Sequence, residues 1–393
     1  MREGWTYKRL AEVCTTITDG SHNPPKGIEH SKYRMISSQN IYDGELKIYD
    51  DNVRFLTEED HYKEDKRTKL SKGVVLLTIV GTIGRSCVLN GNEGYLTLQR
   101  SVAVLHPSSE IQSRFLMYCL IGNRNKLEKE AHGIAQRGIY LKQLSTLVIP
   151  IPPNNVQQSI AAELDKINEL IGLKKSQLTD LDSLAQSIFY EMFGDPVENE
   201  KGWEVKKLNE VSESITDGDH MPPPKSERGI PFLTISDINK ETRELDFSNT
   251  FFVPQDYYDG LKEERKARTN DLLYTVTGSY GIPVIVKTDK QFCFQRHIAL
   301  IRPMQKMLTT TFLCYWALSP SIKGVADKVA TGIAQKTVGL NSIRQLDIVL
   351  PPLPLQQSFA TRITAIEQQK QRISASIKDL ETLLASRMQY WFD

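Results

Sequence analysis

VQQSIAAELDKINELIGLKKSQLTDLDSLAQSIFYEM, residues 156–192, is the stretch on which the architecture turns. Stepping by four and three from its fifth position gives Ile160, Leu164, Ile167, Ile171, Lys174, Leu178, Leu181, Ala185, Ile188 and Met192, all apolar except Lys174. Adding 199 to each number gives Phe359, Ile363, Ile366, Lys370, Ile373, Ile377, Leu380, Leu384, Arg387 and Trp391, where only Lys370 and Arg387 break the pattern. An apolar repeat of 3.5 residues held this long, with no proline inside it, predicts a coiled-coil helix. Each copy would be about 37 residues and roughly 55 Å long at 1.5 Å per residue. A seam of that length needs a partner, and the second copy matches it in length and register.

Outward from the helices, the duplication extends over the whole chain. Gly4-Trp5, Lys8, Leu10 and Glu12-Val13 return as Gly202-Trp203, Lys206, Leu208 and Glu210-Val211. Ile17-Thr18-Asp19-Gly20, His22 and Pro24-Pro25 return as Ile215-Thr216-Asp217-Gly218, His220 and Pro222-Pro223, at an offset of 198. Gly81 and Gly84 answer Gly278 and Gly281, and Gln99-Arg100 answers Gln295-Arg296. Gly133-Ile134-Ala135-Gln136 answers Gly332-Ile333-Ala334-Gln335, and Pro152-Pro153 with Gln157-Gln158 answers Pro351-Pro352 with Gln356-Gln357. Strand-like runs fall at 74–80, 102–105, 272–276 and 298–301, and helical patterns at 111–127 and 309–325. Each repeat is therefore a mixed module, a proline hinge and a long helix. The expected partition is 1–153, a helix over 154–194, a second module over 195–352 and a helix over 353–393.

The prolines at 152–153 and 351–352 place both helix starts after them, and Gly194 with Pro196 ends the first helix. Because the second module follows the first helix at once, the second helix has to run back along the first. The expected fold is α+β: two modules joined by a two-helix antiparallel coiled coil, with a pseudo-two-fold internal repeat. Its seam is Ile160, Leu164, Ile167, Ile171, Leu178, Leu181 and Ile188 against Phe359, Ile363, Ile366, Ile373, Ile377, Leu380 and Leu384. Lys174 and Lys370 either set the register from within the seam or snorkel off its edge.

Composition excludes several classes. The 393 residues carry a net charge of +1, so any nucleic-acid surface is local. The five cysteines form no Cys-x-x-Cys pair, which suits a reduced cytoplasmic protein without structural zinc. The polar opening does not read as a signal peptide, and no apolar run approaches membrane-spanning length. Seven scattered histidines offer no metal spacing. Asn23-Pro24-Pro25-Lys26 lacks the aromatic of an adenine methyltransferase motif, and no Gly-rich cofactor or phosphate loop accompanies it. Asp195 with Glu204 and Lys206 makes only a forced nuclease pattern, since Thr6 stands at the first-copy counterpart of Glu204. The expectation is a chain without a catalytic or metal centre.

The duplicated polar motifs are the binding candidates. His22 and His220 either brace a loop or meet a phosphate. Gln99, Arg100, Gln295 and Arg296 suit base or phosphate contacts, or satisfy buried carbonyls. Gln136-Arg137 and Gln335-Lys336 end their loops in a cation. Residues identical in both copies cannot distinguish two sequences, so base readers should lie where the copies diverge: 33–40 against 231–239, 54–69 against 252–266, and Thr82, Ile83 and Arg85 against Ser279, Tyr280 and Ile282.

This arrangement resembles the specificity subunit of type I restriction-modification enzymes over essentially the whole chain. The proline hinges with Gln157-Gln158 and Gln356-Gln357, the Trp5 and Trp203 openings and the Gly-Ile-Ala-Gln stretches carry the resemblance. It implies a non-catalytic subunit whose two target-recognition domains each read half of a bipartite site in double-stranded DNA, with the coiled coil setting their spacing and docking partners. The implied partners are two modification subunits, which methylate adenine with S-adenosylmethionine, and ATP-dependent restriction subunits. No cofactor is expected in this chain itself. The competing readings are a scaffold with two protein-binding modules and a fused methyltransferase or nuclease.

Overall fold

The structure is a computed structural model and describes residues 4–91, 93–132, 137–220, 223–332 and 336–392. The chain divides into two units, Met1–Lys175 with Ala375–Asp393, and Ser176–Ser374. Each holds one mixed module and a pair of helix segments.

The first module is built on a four-stranded antiparallel sheet in the order Cys14–Asp19, Val102–Pro107, Val75–Thr78, Ser86–Val88. The second repeats it as Ser212–Asp217, Ile298–Pro303, Leu272–Thr275, Pro283–Ile285. The two inner strands of each sheet, Val102–Pro107 with Val75–Thr78 and Ile298–Pro303 with Leu272–Thr275, are mainly apolar and largely buried, while the outer strands Cys14–Asp19 and Ser212–Asp217 carry exposed polar residues. A three-stranded sheet stands beside each: Arg54–Phe55, Arg34–Ile36, Leu96–Leu98 in one, and Phe251–Val253, Ile230–Leu233, Cys293–Phe294 in the other. The opening strand Thr6–Arg9 pairs with Val148–Ile151, as Glu204–Lys207 pairs with Asp347–Leu350. The predicted helical patterns are realised as Ser113–Gly122 with Arg124–Glu130, and Thr310–Leu318 with Pro320–Val329. The copies part where the first has an eleven-residue helix, Glu58–Thr68, and the second only Gln255–Asp259 and a short turn.

The two long helices are Asn154–Phe193 and Leu353–Phe392. The first begins on Pro153, whose carbonyl accepts from Val156 and Gln157 N–H. It stops at Gly194, which takes φ +76°. Trp203 Nε1 then donates to the freed Phe193 carbonyl at 2.8 Å. Within the first unit the segments run antiparallel, with Glu163 held by Arg387 and Lys175 3.1 Å from Glu381. Within the second, Asp182 meets Lys370 at 2.9 Å and Phe189 meets Phe359, again in opposite directions. Lys370 is 13% exposed and paired across the seam, so it works from within it.

The seam departs from the expected positions at one end. Ile188 is only half-buried, while Ala185, Phe189 and Phe193 are buried. An α-helix of 3.6 residues per turn drifts off a 3.5 repeat by about 20° per heptad, and here spacing by fours replaces it. The rings of Phe189 and Phe193 pack on Phe312 and Phe359, which anchors that drift to the module. Leu178, Leu380 and Leu384 are also half-buried, whereas Ile160, Leu164, Ile167, Ile171, Leu181, Ile363, Ile366, Ile373 and Ile377 are buried. Among the described residues no helix is long and apolar enough to cross a membrane.

Candidate nucleic-acid interface

Two motifs about eighty residues apart in sequence are brought together in each module. In the first, Gly20 N–H donates to the Val102 carbonyl, Ser21 N–H to the Leu98 carbonyl at 2.7 Å, and Arg100 N–H to the Ser21 carbonyl at 2.9 Å. A Cβ on Gly20 would overlap the Leu98 carbonyl oxygen, so only glycine allows this approach. The second module repeats the stitch. Gly218 N–H donates to Ile298, Asp219 N–H to Phe294 at 3.0 Å, and Arg296 N–H to the Asp219 carbonyl at 3.1 Å. Thr-Asp-Gly-x-His thus lies beside Gln-Arg in both copies.

The side chains then organise around one carboxylate. His22 Nε2 is 2.8 Å from Asp19 Oδ2, and His220 Nε2 is 2.8 Å from Asp217 Oδ2. Both aspartates are largely buried while the histidines are about half exposed. The other Asp19 oxygen is held by the Arg67 guanidinium. Its counterpart Arg265 sits between Asp217 at 3.8 Å and Asp219 at 3.6 Å. Asp19, His22, Arg67, Arg100 and His132 line a cleft of about 470 Å³ in the first module. Asp217, His220, Arg296 and His297 line one of about 410 Å³ in the second. Gln99 and Gln295 are half-buried beside the exposed Arg100 and Arg296.

Arg67 and Arg265 fall inside the divergent segments 54–69 and 252–266, but the sequence singles out neither, because both lie in mixed-charge runs typical of solvated faces. Their shared offset of 198 was the available signal. Burial, then the neighbouring Arg296, lowers the pKa of His297.

The remaining candidates scatter around this core. Gly81 and Gly84 take φ near +80°, and Gly81 N–H donates to the Arg137 carbonyl, as Gly278 N–H does to Lys336. The glycine turns therefore hold Arg137 and Lys336 in place through their carbonyls. Arg137, however, turns its guanidinium onto the Glu128 carbonyl at 2.8 Å, capping the helix Arg124–Glu130. Lys336 is exposed. Arg85 lies 4.9 Å from the ring centre of the exposed Tyr42. Ser279 accepts from Lys240 at 2.8 Å, and Tyr280 donates to Asp327 at 2.6 Å. That hydrogen bond, with a smaller effect of burial, raises the Tyr280 pKa. Gln136 and Gln335 lie outside the described residues. In the divergent segments Tyr33 and Ile83 are buried, and Tyr33 donates to Glu58 at 2.6 Å, so both serve packing.

Among the described residues no three His, Cys, Asp or Glu side chains are placed to hold a metal. What the clefts present are fixed cationic and hydrogen-bonding groups at a solvent edge, which is a binding arrangement for anions or base edges.

The chain matches the type I restriction modification DNA specificity domain twice, over residues 2–182 and 200–382. It is 24% identical to the putative type I restriction enzyme MjaX specificity subunit of Methanocaldococcus jannaschii, covering 97% of this chain and 93% of that protein. It is 22% identical to the type I restriction enzyme EcoKI specificity subunit of Escherichia coli, covering 98% and 88%. The fold is shared with a type I restriction-modification S subunit from M. genitalium, at TM-score 0.54, 15% identity and coverage of 99% and 96%. It is also shared with a chain solved in a study of complex assembly and conformational transition of the type I R-M system, at TM-score 0.59, 17% identity and coverage of 100% and 98%. With two matching domains spanning most of its length, the chain belongs to the type I restriction modification DNA specificity family and is a specificity subunit of such a system.

Proposed function

We propose that each module reads one half of a bipartite sequence in double-stranded DNA, and that the paired helices set the distance between the halves. The observation that carries this reading is the recurrence of one constellation, Asp-Gly-x-His beside Gln-Arg, on the same sheet edge of two modules whose neighbouring segments differ. Shared residues then bind the backbone and position the modules, and divergent ones read bases. On this reading the chain itself is non-catalytic. S-adenosylmethionine and ATP chemistry belongs to two modification subunits and to restriction subunits, docked on the helices, and the assembly works in the cytoplasm.

The test is a domain exchange in the assembled modification complex. Replacing residues 203–350 by the equivalent segment of a relative, then mapping methylated adenines, changes one half of the recognised sequence and leaves the other intact. A change in both halves overturns the two-reader model. Retention of both halves removes the second module from recognition and leaves a protein-binding scaffold as the better account.

A further inference from the structure

The two clefts share a backbone path but not a charge. Ser21 and Asp219 occupy equivalent places: each N–H reaches the carbonyl of Leu98 or Phe294, and each carbonyl accepts from Arg100 or Arg296. In the first module two arginines, Arg67 and Arg100, face one carboxylate, Asp19. In the second, Arg296 and Asp217 line the cleft, and Arg265 is set between Asp217 and a second carboxylate, Asp219, which Tyr257 also hydrogen-bonds. The extra acid has a geometric effect. Arg67 pairs directly with Asp19, whereas Arg265 stands back between its two carboxylates, 3.8 and 3.6 Å away. Asp219 is 12% exposed and cannot be shielded as a surface carboxylate would be. Arg100 is exposed with no side-chain partner among the described residues, so its charge is free for a ligand.

Resting on the DNA-reading function above, we infer that the first cleft is a backbone-phosphate site and that Asp219 weakens the same site in the second module. The first module is then the electrostatic anchor of the subunit, engaging any duplex through Arg100 and Arg67. The second contributes selectivity with little sequence-independent affinity. Each phosphate neutralised adds about 0.9 to the slope of log affinity against log salt, so the asymmetry is measurable.

The experiment uses the full chain in complex with its modification subunit, titrated with a target duplex and a scrambled duplex from 50 to 300 mM salt. The reciprocal exchanges are Asp219→Ser and Ser21→Asp. Asp219→Ser is expected to tighten binding to both duplexes about three- to ten-fold and to steepen the salt slope by about one. Ser21→Asp is expected to do the reverse. Because Ser21 is buried, Arg100→Gln provides the same loss without burying a charge, and it should weaken both duplexes alike. If the unaltered complex binds both duplexes equally, or without salt dependence, the function itself is misread. If it binds as expected but both exchanges leave affinity and slope unchanged, the inference about Asp219 fails while the function stands. If Arg100→Gln weakens only the target duplex, Arg100 reads a base and the phosphate site is overturned.

Discussion

Gln157 and Gln356, 199 residues apart, make the same three hydrogen bonds. Gln157 Oε1 accepts from Gln112 N–H at 2.9 Å, and its Nε2 donates to the Glu110 and Pro152 carbonyls at 2.9 and 3.0 Å. Gln356 Oε1 accepts from Thr309 N–H at 2.9 Å, and its Nε2 donates to the Met307 and Pro351 carbonyls at 3.0 and 2.9 Å. Both side chains are essentially inaccessible, 1% and 0% exposed. The repeated hinge glutamine is thus an internal staple, tying the first turn of each long helix to the loop before a module helix.

Leucine at position 157 removes these three bonds and strands one N–H and two carbonyls, and at position 356 it also removes a 3.3 Å bond from the Thr309 hydroxyl. At about 1–3 kcal/mol for each buried group left unpaired, Gln157→Leu should cost on the order of 3 kcal/mol or more. Thermal or denaturant unfolding of the full chain measures it. A loss below about 1 kcal/mol would mean that water replaces the amide.

Two glycine substitutions should act with opposite sign. Gly218→Ala drives a Cβ into the Phe294 carbonyl oxygen, so the strand crossing has to open, at about 1–3 kcal/mol or more. Gly172 lies mid-helix with open space where a Cβ would stand, so Gly172→Ala should stabilise by about 0.5–1 kcal/mol. Unfolding midpoints of the two variants, read against the unaltered chain, decide the matter.

Acid should loosen the helix pairing in the second unit through Asp182. Burial disfavours its charge, but hydrogen bonds from Arg243 at 2.7 Å and Lys370 at 2.9 Å outweigh that and hold its carboxyl below the usual carboxylate range. A depressed folded pKa contributes stability that is complete above the unfolded value, about 3.9, and is lost as pH falls through the lower folded value. Asp182→Asn should therefore lower stability at pH 7 and flatten its dependence on pH below about 4. Equal slopes in the two proteins would place the acid sensitivity elsewhere.

The thiols should be silent in the native state. All five cysteines are buried and free, and burial, the largest cause in each case, pushes Cys14, Cys87, Cys119, Cys293 and Cys314 up to about 12. Thiolate is the reactive form, so a disulfide reagent at pH 8 should modify none of them quickly and all five after unfolding. Rapid labelling of even one native thiol would reveal local opening around it.

Much of the architecture was legible because it rests on local regularities. A period near 3.5 needs no knowledge of the partner, and a duplication shows itself by comparing the chain with itself. The binding clefts were half legible. Asp19, His22 and Arg100 stood out as repeated motifs, but their meeting depends on strand order, which pairs Cys14–Asp19 with Val102–Pro107 across more than eighty residues.

The two repeats, the long helices and the hinge motifs are readable from residue order alone, since periodicity and self-similarity are properties of a chain. It takes the folded chain to show that Phe189 and not Ile188 closes the seam, that Gln157 and Gln356 are internal staples, that Arg67 turns onto Asp19, and that Tyr33 packs inward. Each of these depends on which groups from distant segments are brought into contact, and that is set by three-dimensional packing rather than by spacing along the chain.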